Sequence, residues 1–276
     1  RGEAVAHGDY LFFLNPDTIV TPGWLEPLVA ALAANPQVGL VTPRLMQWDQ
    51  PEVLNACGHQ VHLTGIVQCR GFGQPVNTFS QCEKVAAVSG AAFAIRREVF
   101  DFLGGFDDRL YFLYIEDTDL SWRARLAGYE CLYIPHSWVY HDYRLWFGPE
   151  KMYHYERNRY HLLLKHLHWG TLALLLPALI MAEIISWTFV FLHNRPYFRN
   201  KLRAYAWILR SWLKVMEERR RVQALRKITD RELLQITTPH LSFEWVGPDW
   251  IARLGRRLLN PGFAAYRAAL LAVLRW

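Results

Sequence analysis

Glu116, Asp117 and Asp119 put three carboxylates within four positions, the densest potential chemistry in this sequence. They stand at the head of a stretch, Ile115 to Tyr129, that pairs Asp119 with Arg123 four residues on and reaches Gly128 where a helix would stop. Acids are favoured in a first helical turn by the helix dipole, glycine commonly ends a helix, and residues four apart share a face. Ile115, Leu120, Ala124 and Ala127 supply an imperfect apolar side, so an ordinary capped amphipathic helix accounts for the stretch. Yet Glu116 beside Asp117 is more acid than capping requires. Adjacent carboxylates at a helix entrance can also bind a cation, or one of them can serve as a general base. Two distant residues carry related chemistry: Asp17 follows an apolar run, and His141 follows another. Asp and His together suit Mg²⁺ or Mn²⁺. Taken singly, Asp17 also reads as a turn residue and His141 as a surface histidine.

The elements that must position these residues alternate in type. Tyr10 to Leu14 is a short unbroken apolar run closed by Asn15-Pro16-Asp17, as expected of a strand buried on both faces. Thr21-Pro22 predicts an N-cap and a first helical position, followed by Trp24, Leu25, Leu28, Val29 and Leu32 at helical spacing up to Asn35-Pro36. Val38 to Val41 is the next strand, and strand, helix, strand points to an α/β fold. Residues 47–84 hold several glycines and no sustained period, which predicts loops and a hairpin over a sheet edge. Val85 to Ile95 reads as a strand interrupted at Ser89-Gly90, with a short helix from Arg97 to Leu103 and a break at Gly104-Gly105. Cys131 to Ile134 is expected as a strand ended by Pro135, and Trp138 to Tyr140 as a separate short one.

The 276 residues suffice for one large domain or a domain with an appendage, and a start on Arg1 reads as a chain lacking its beginning. The net charge of +6 hides a split: residues 1–150 hold 10 Lys/Arg against 17 Asp/Glu, residues 151–276 hold 21 against 8. A basic half favours an anionic partner. No nucleic-acid-binding motif is present, and interleaved apolar and aromatic runs favour a membrane surface. Thr171 to Leu192 is 22 residues long with Glu183 as its one charge and Pro177 as its one proline, long enough to span a bilayer. Arg199, Arg203 and Arg210 alternate with Tyr205, Trp207 and Trp212, a pattern suited to a helix lying in the interface. The residues favour attachment through several amphipathic helices over a true crossing. The expected division is a sheet domain over 1–148 and a helical, basic, membrane-associated region over 149–276. Cys57, His59, His62 and Cys69 match no ordinary zinc spacing.

Gly8-Asp9-Tyr10-Leu11-Phe12-Phe13-Leu14-Asn15-Pro16-Asp17 and Pro22-Gly23-Trp24-Leu25 resemble the metal-site segment of inverting family 2 glycosyltransferases. The resemblance continues through Ser89-Gly90-Ala91, Gly104-Gly105-Phe106-Asp107, Glu116-Asp117-x-Asp119-Leu120, Arg123, Gly128-Tyr129, Pro135 and His141. Asn-Pro-Asp and Glu156-Arg157-Asn158-Arg159 are similar to bacterial rhamnosyltransferase-like members acting in cell-surface polysaccharide assembly. The resemblance implies a GT-A fold, a Rossmann-like mixed sheet that lacks its N-terminal part here, binding a nucleotide-sugar such as dTDP-rhamnose. It implies that Asp17 and His141 hold a divalent cation, Mg²⁺ or Mn²⁺, with Asn15 in place of the first Asp of the family's Asp-x-Asp motif. It implies that Asp117 is the base, that Glu116 and Asp119 orient it or meet the acceptor, and that Ser89 and Gly90 line the sugar site. The acceptor would be a glycan or a polyprenyl-linked sugar at the cytoplasmic face of the cell membrane. The family's nucleotide-base contacts would lie upstream of Arg1. Two rivals are a sugar-phosphate nucleotidyltransferase, which would need an upstream glycine-rich phosphate loop, and a non-catalytic membrane scaffold with a degenerate sheet domain.

Overall fold

The structure, a computed structural model, describes residues 5–108, 113–143, 147–193, 195–243 and 249–276. The chain forms two compact units, one of residues 1–60, 69–112 and 116–145, the other of 61–68, 113–115 and 146–276. Two short pieces of the acidic half thus belong with the basic half.

Up to His141 the chain runs β1 (Tyr10–Leu14), β2 (Thr18–Val20), α1 (Leu25–Ala34), β3 (Val38–Gln47), β4 (Leu54–Ala56), β5 (His59–Val61), β6 (Val67–Cys69), β7 (Glu83–Lys84), β8 (Ala92–Arg96), α2 (Arg97–Leu103), α3 (Glu116–Leu126) and β9 (Glu130–His141), all in the first unit except residues 61 and 67–68 of β5 and β6. A seven-stranded mixed sheet has the order β1-β8-β3-β9-β2, with β4 on β3 and β7 on β9. β3 and β9 are parallel, and β1 and β3 both pair antiparallel with β8. Leu28 and Leu32 of α1 lie over Val41, Leu45, Ala94, Ile134 and Val139, the core expected where a helix covers near-continuous apolar strands. The hairpin expected within residues 47–84 is β5 with β6.

Four local expectations are corrected. Thr21 does not cap α1: Gly23 is left-handed at φ 75°, so the helix starts only at Leu25, and the Thr21 hydroxyl instead donates to the Trp138 carbonyl at 2.9 Å. Pro135 does not end a strand. β9 continues for 12 residues because a register shift between Pro43↔Ile134 and Arg44↔Trp138 leaves Pro135 unpaired in a bulge. The strand expected from Val85 begins only at Ala92. Finally, α3 is not amphipathic, because every residue from Asp117 to Leu126 is buried.

The second unit is helical: α4 (Pro149–His166), α5 (Trp169–Leu192), α6 (Arg195–Arg210), α7 (Trp212–Ala224), α8 (Asp230–Gln235), α9 (Asp249–Leu254), a π-helical turn at Gly255–Leu259, and α10 (Asn260–Val273). Among the described residues α5 is the one helix long and apolar enough to cross a membrane. Its lone acid is not left to solvent or lipid. Glu183 accepts hydrogen bonds from Arg159 and Tyr160 of α4 and from Tyr205 of α6, and pairs with Lys201 of α6 at 3.1 Å. Glu156 completes the cluster, 2.9 Å from Arg159 and 3.1 Å from Lys201, and accepts from the Ser186 hydroxyl at 3.1 Å. Two carboxylates thus neutralise two cations, a condition for burying any of them.

Glu183→Leu should therefore destabilise the protein, although it makes α5 more apolar, because Arg159 and Lys201 would be left with one carboxylate between them. The expected loss is about 3–5 kcal/mol, read as a lowered midpoint of thermal unfolding. An unchanged or raised midpoint would show that the cluster does not hold α4, α5 and α6 together.

Candidate active site

The site is assembled by helix α3 and the segment before β8. Residues 85–91 have no strand partner on the α3 side, so their backbone groups must be satisfied otherwise. Side chains of α3 at spacing four do this. Arg125 donates to the carbonyls of Val85 and Ala86, the latter at 3.1 Å, and Ser121 Oγ accepts the Val88 amide at 3.1 Å. Asp117 Oδ2 accepts the Gly90 amide at 2.6 Å. The alternate residue, Ala87, turns the other way and exchanges backbone hydrogen bonds with His59. This is why the strand predicted from Val85 does not form before Ala92. It is also why Gly90 is glycine, since a Cβ there would lie 2.9 Å from Asp117 Oδ2. Ser89 is buried, its amide directed at the Thr42 hydroxyl at 3.4 Å.

Asp117 is held at both oxygens, with Oδ1 accepting from the Thr118 amide at 2.6 Å and the Thr118 hydroxyl at 3.2 Å. His59 Nδ1, buried and without a hydrogen bond, lies 3.4 Å from Asp117 Oδ2. Burial works against a charge on His59, but Asp117, Cys69 and Glu116 together raise its pKa to about 9. Glu116 is the opposite case: burial, reinforced by the Asp117 charge, pushes its carboxyl up to about 7, and its buried Oε2 has no hydrogen bond. The two adjacent acids are therefore separated in character, one tied by donors and the other poised to titrate near neutrality. Asp119 is enclosed and receives Arg123 Nε at 2.8 Å, while Arg123 Nη1 donates to the Leu103 carbonyl at 2.8 Å. Its carboxylate faces Arg123 rather than open space.

A second cluster comes from strand register. β2 pairs with β9 so that Thr18 lies opposite His141, and the Asp142 amide donates to the Asp17 carbonyl at 2.9 Å. Asp17 Oδ1 is thereby brought to 3.4 Å from His141 Nε2. The other ring nitrogen, Nδ1, lies 3.0 Å from Asn55 Oδ1, and a carbonyl oxygen there fixes the proton on Nδ1. Burial lowers the pKa of His141 against the pull of Asp17, so the imidazole is neutral at neutral pH. Nε2, buried without a hydrogen bond, then points a lone pair toward a carboxylate, which is the donor arrangement a divalent cation takes. The residues present fit such an ion as two of its ligands. Among the described residues no three His, Cys, Asp or Glu side chains form a metal cluster, so the remaining ligands would come from a bound substrate or water.

The two clusters meet at the carboxyl end of β1. The Asn15 amide donates to the Ala91 carbonyl at 2.9 Å, which ties the turn carrying Asp17 to the turn carrying Gly90. The Asn15 residue is exposed. His59 and Asn55 were not singled out by sequence as partners of Asp117 and His141. The one signal was Gly58-His59, a histidine behind a glycine that adopts φ 79° and packs closely on the Ala87 carbonyl. His62, weighed with His59 as a metal ligand, instead lies 2.7 Å from the Thr64 hydroxyl.

The family model "Glycosyltransferase like family 2" matches residues 2–160. N-acetylglucosaminyl-diphospho-decaprenol L-rhamnosyltransferase of Mycobacterium tuberculosis is 30% identical over 149 residues, 48% of this chain and 47% of that protein. Pre-mycofactocin glycosyltransferase of the same organism is 32% identical over 143 residues, 52% of this chain and 29% of that one. The chain thus spans about half the length of the first relative and less of the second. A crystal structure of GalNAc-T7 with UDP, GalNAc and Mn²⁺ aligns over 59% of this chain and 33% of that one at 23% identity, with a TM-score of 0.47. With the match extending over more than half of the chain and a mixed sheet of the GT-A kind beneath it, this protein belongs to the glycosyltransferase-like family 2.

Proposed function

We propose that the chain takes part in transferring a sugar from a nucleoside diphosphate donor to a hydroxyl of a glycan or polyprenyl-linked acceptor, with inversion at the anomeric carbon. The observation that carries this reading is that Asp117, held by the Gly90 amide, and the Asp17–His141 pair adjoin two turns that the Asn15–Ala91 hydrogen bond ties together. Asp117 takes the proton of the acceptor hydroxyl, whose oxygen attacks the anomeric carbon while the diphosphate leaves with the electron pair. One displacement inverts the centre. Asp17 and His141 would hold the divalent cation, which when bound supplies positive charge for the donor diphosphate. Asn15, on the same turn, is placed to hydrogen-bond the donor, and Ser89 with Gly90 borders the sugar. Asp119 positions α3 through Arg123, and Glu116 stands beside the base to orient it or to meet the acceptor. The rhamnosyltransferase relative supports dTDP-rhamnose as the first donor to test and a polyprenyl-linked acceptor as its counterpart.

The same reading places the protein at the cytoplasmic face of the cell membrane. Support comes from α5, whose Leu176, Ile180, Ile184 and Phe191 are exposed along one side, and from the 11 Lys/Arg between Arg195 and Lys227. The cluster around Glu183 ties α5 to α4 and α6 through its polar side, which favours a helix lying in one leaflet over one crossing alone. Basic residues near such a helix add attraction to anionic lipid.

Three outcomes are expected. Asp117→Asn should lower transfer by about 10²–10⁴-fold while donor binding, measured by calorimetry, persists; transfer within a few-fold of wild type would remove the base assignment. Asp17→Asn and His141→Ala should each weaken Mn²⁺ binding in the presence of a nucleoside diphosphate by about tenfold or more, as followed by the Mn²⁺ paramagnetic resonance signal. Equal signals in variants and wild type would put the cation elsewhere. The chain should co-sediment with vesicles containing phosphatidylglycerol and less with pure phosphatidylcholine, the difference shrinking as salt rises. Failure to sediment with either would exclude a membrane surface as the partner.

A further inference from the structure

Among the described residues His59 is placed against the carboxylates of α3, and the backbone around it is built to put it there. Gly58 takes a left-handed φ of 79°, a conformation side chains rarely adopt, and sits where a Cβ would press on the Ala87 carbonyl at 3.0 Å. The His59 amide then donates to the Ala87 carbonyl at 2.8 Å, and the Ala87 amide returns to the His59 carbonyl at 3.3 Å. The backbone is thereby fixed three residues from Gly90, whose amide holds the same Asp117 oxygen that His59 faces. The ring nitrogen toward Asp117 is buried and lacks a hydrogen bond at 3.4 Å, a gap that a small movement would close. The charged and titratable groups facing His59 are Asp117 and Glu116 from α3 and Cys69 from β6; the 85–90 segment brings none. Asp119, which faces Glu116, is already compensated by Arg123. Both Asp117 and Glu116 therefore face His59.

We propose that His59 is the positioning cation of the base centre: as imidazolium it closes on Asp117 Oδ2 and holds that oxygen in the orientation in which it meets the acceptor hydroxyl. The inference rests on the reading of Asp117 as the base. His59 neither gains nor loses a proton in the step, since the acceptor proton goes to Asp117 and the electron pair of the broken bond leaves with the nucleoside diphosphate. An imidazolium and a carboxylate at this distance attract, and removing the cation leaves the carboxylate free to turn. Loss of His59 should therefore lower turnover while leaving donor binding in place. The high pKa of His59 agrees with this role, because it leaves the ring charged throughout the neutral range.

The test uses the full chain in two arms. In the first, the His59 ring resonances, assigned through its backbone, are followed by NMR against pH in wild type and Asp117→Asn. The wild-type ring should titrate near pH 9, and its midpoint should fall by about one unit or more in the variant. A wild-type midpoint at or below that of a free imidazole, or one that Asp117→Asn leaves in place, overturns the proposal, and this arm needs no substrate. In the second, His59→Gln is assayed for transfer from dTDP-rhamnose. Turnover, kcat, should fall by about tenfold or more with donor KM within about twofold of wild type. An unchanged kcat overturns the proposal. Should His59→Gln fail to fold, the first arm decides alone. Absence of transfer by the wild-type chain with any nucleotide-sugar would count against the glycosyltransferase reading and leave the first arm's result standing.

Discussion

The arrangement on which the first unit depends is the ladder of side chains from α3 to the backbone of residues 85–90. A stretch that leaves the sheet loses its strand partners, and buried amides and carbonyls without partners cost about 1–3 kcal/mol each. Asp117, Ser121 and Arg125, spaced four apart, supply those partners in register with every second residue of the stretch. The helix is consequently buried all round and rich in polar groups, which in isolation would be an unstable combination. It is held because most of those polar groups are matched, including Arg123 Nε on Asp119 and Nη1 on Leu103. Function and folding share one set of contacts here, since the carboxylate proposed as the base is also the last rung of the ladder.

The pair Asp17 and His141 depends on a different constraint. The two residues stand at opposite ends of the unit's sequence and meet because β2 and β9 are hydrogen-bonded in a single register, opposite Thr18 and His141. A slip of one residue would turn each side chain to the other face of the sheet. The bulge at Pro135 lies upstream in the same strand, so the proline expected to end β9 instead resets the register that His141 inherits. Asn55, from the short β4, then fixes which nitrogen of the ring stays bare.

In the helical unit, an acid in an apolar helix is tolerated by the same logic of matching. Glu183 and Glu156 meet Arg159 and Lys201 with tyrosine and serine hydroxyls filling the remaining bonds. The apolar side of α5 stays uncovered while its polar side is tied to α4 and α6. Asn158 of α4 also donates to the carbonyls of Leu113 and Tyr114, at 2.7 and 2.6 Å. The next residues, Tyr114 and Ile115, are left-handed at φ 66° and 70°, a costly backbone for a β-branched side chain immediately before Glu116.

Much was legible in the sequence because it depended on local physics. Strand β1, helix α2 with its glycine stop, helix α3 with its Asp119–Arg123 pair, and the apolar length of α5 follow from side-chain periodicity, capping and i,i+4 spacing. The carboxylates at the head of α3 stood out because they exceeded what a helix start needs. What sequence could not supply was every relation between residues far apart in the chain. A strand from Val85 was a fair expectation from its apolar residues, and it failed because α3, rather than another strand, satisfies its backbone. His59 could not be told from a stray loop histidine until the fold set it 3.4 Å from Asp117. Sequence by itself determined which residues could do chemistry and which elements would form, since both are properties of neighbours along the chain. Only the tertiary structure decided which of two adjacent acids is tied and which is poised, because burial and the nearest charge are set by parts of the chain that meet on folding.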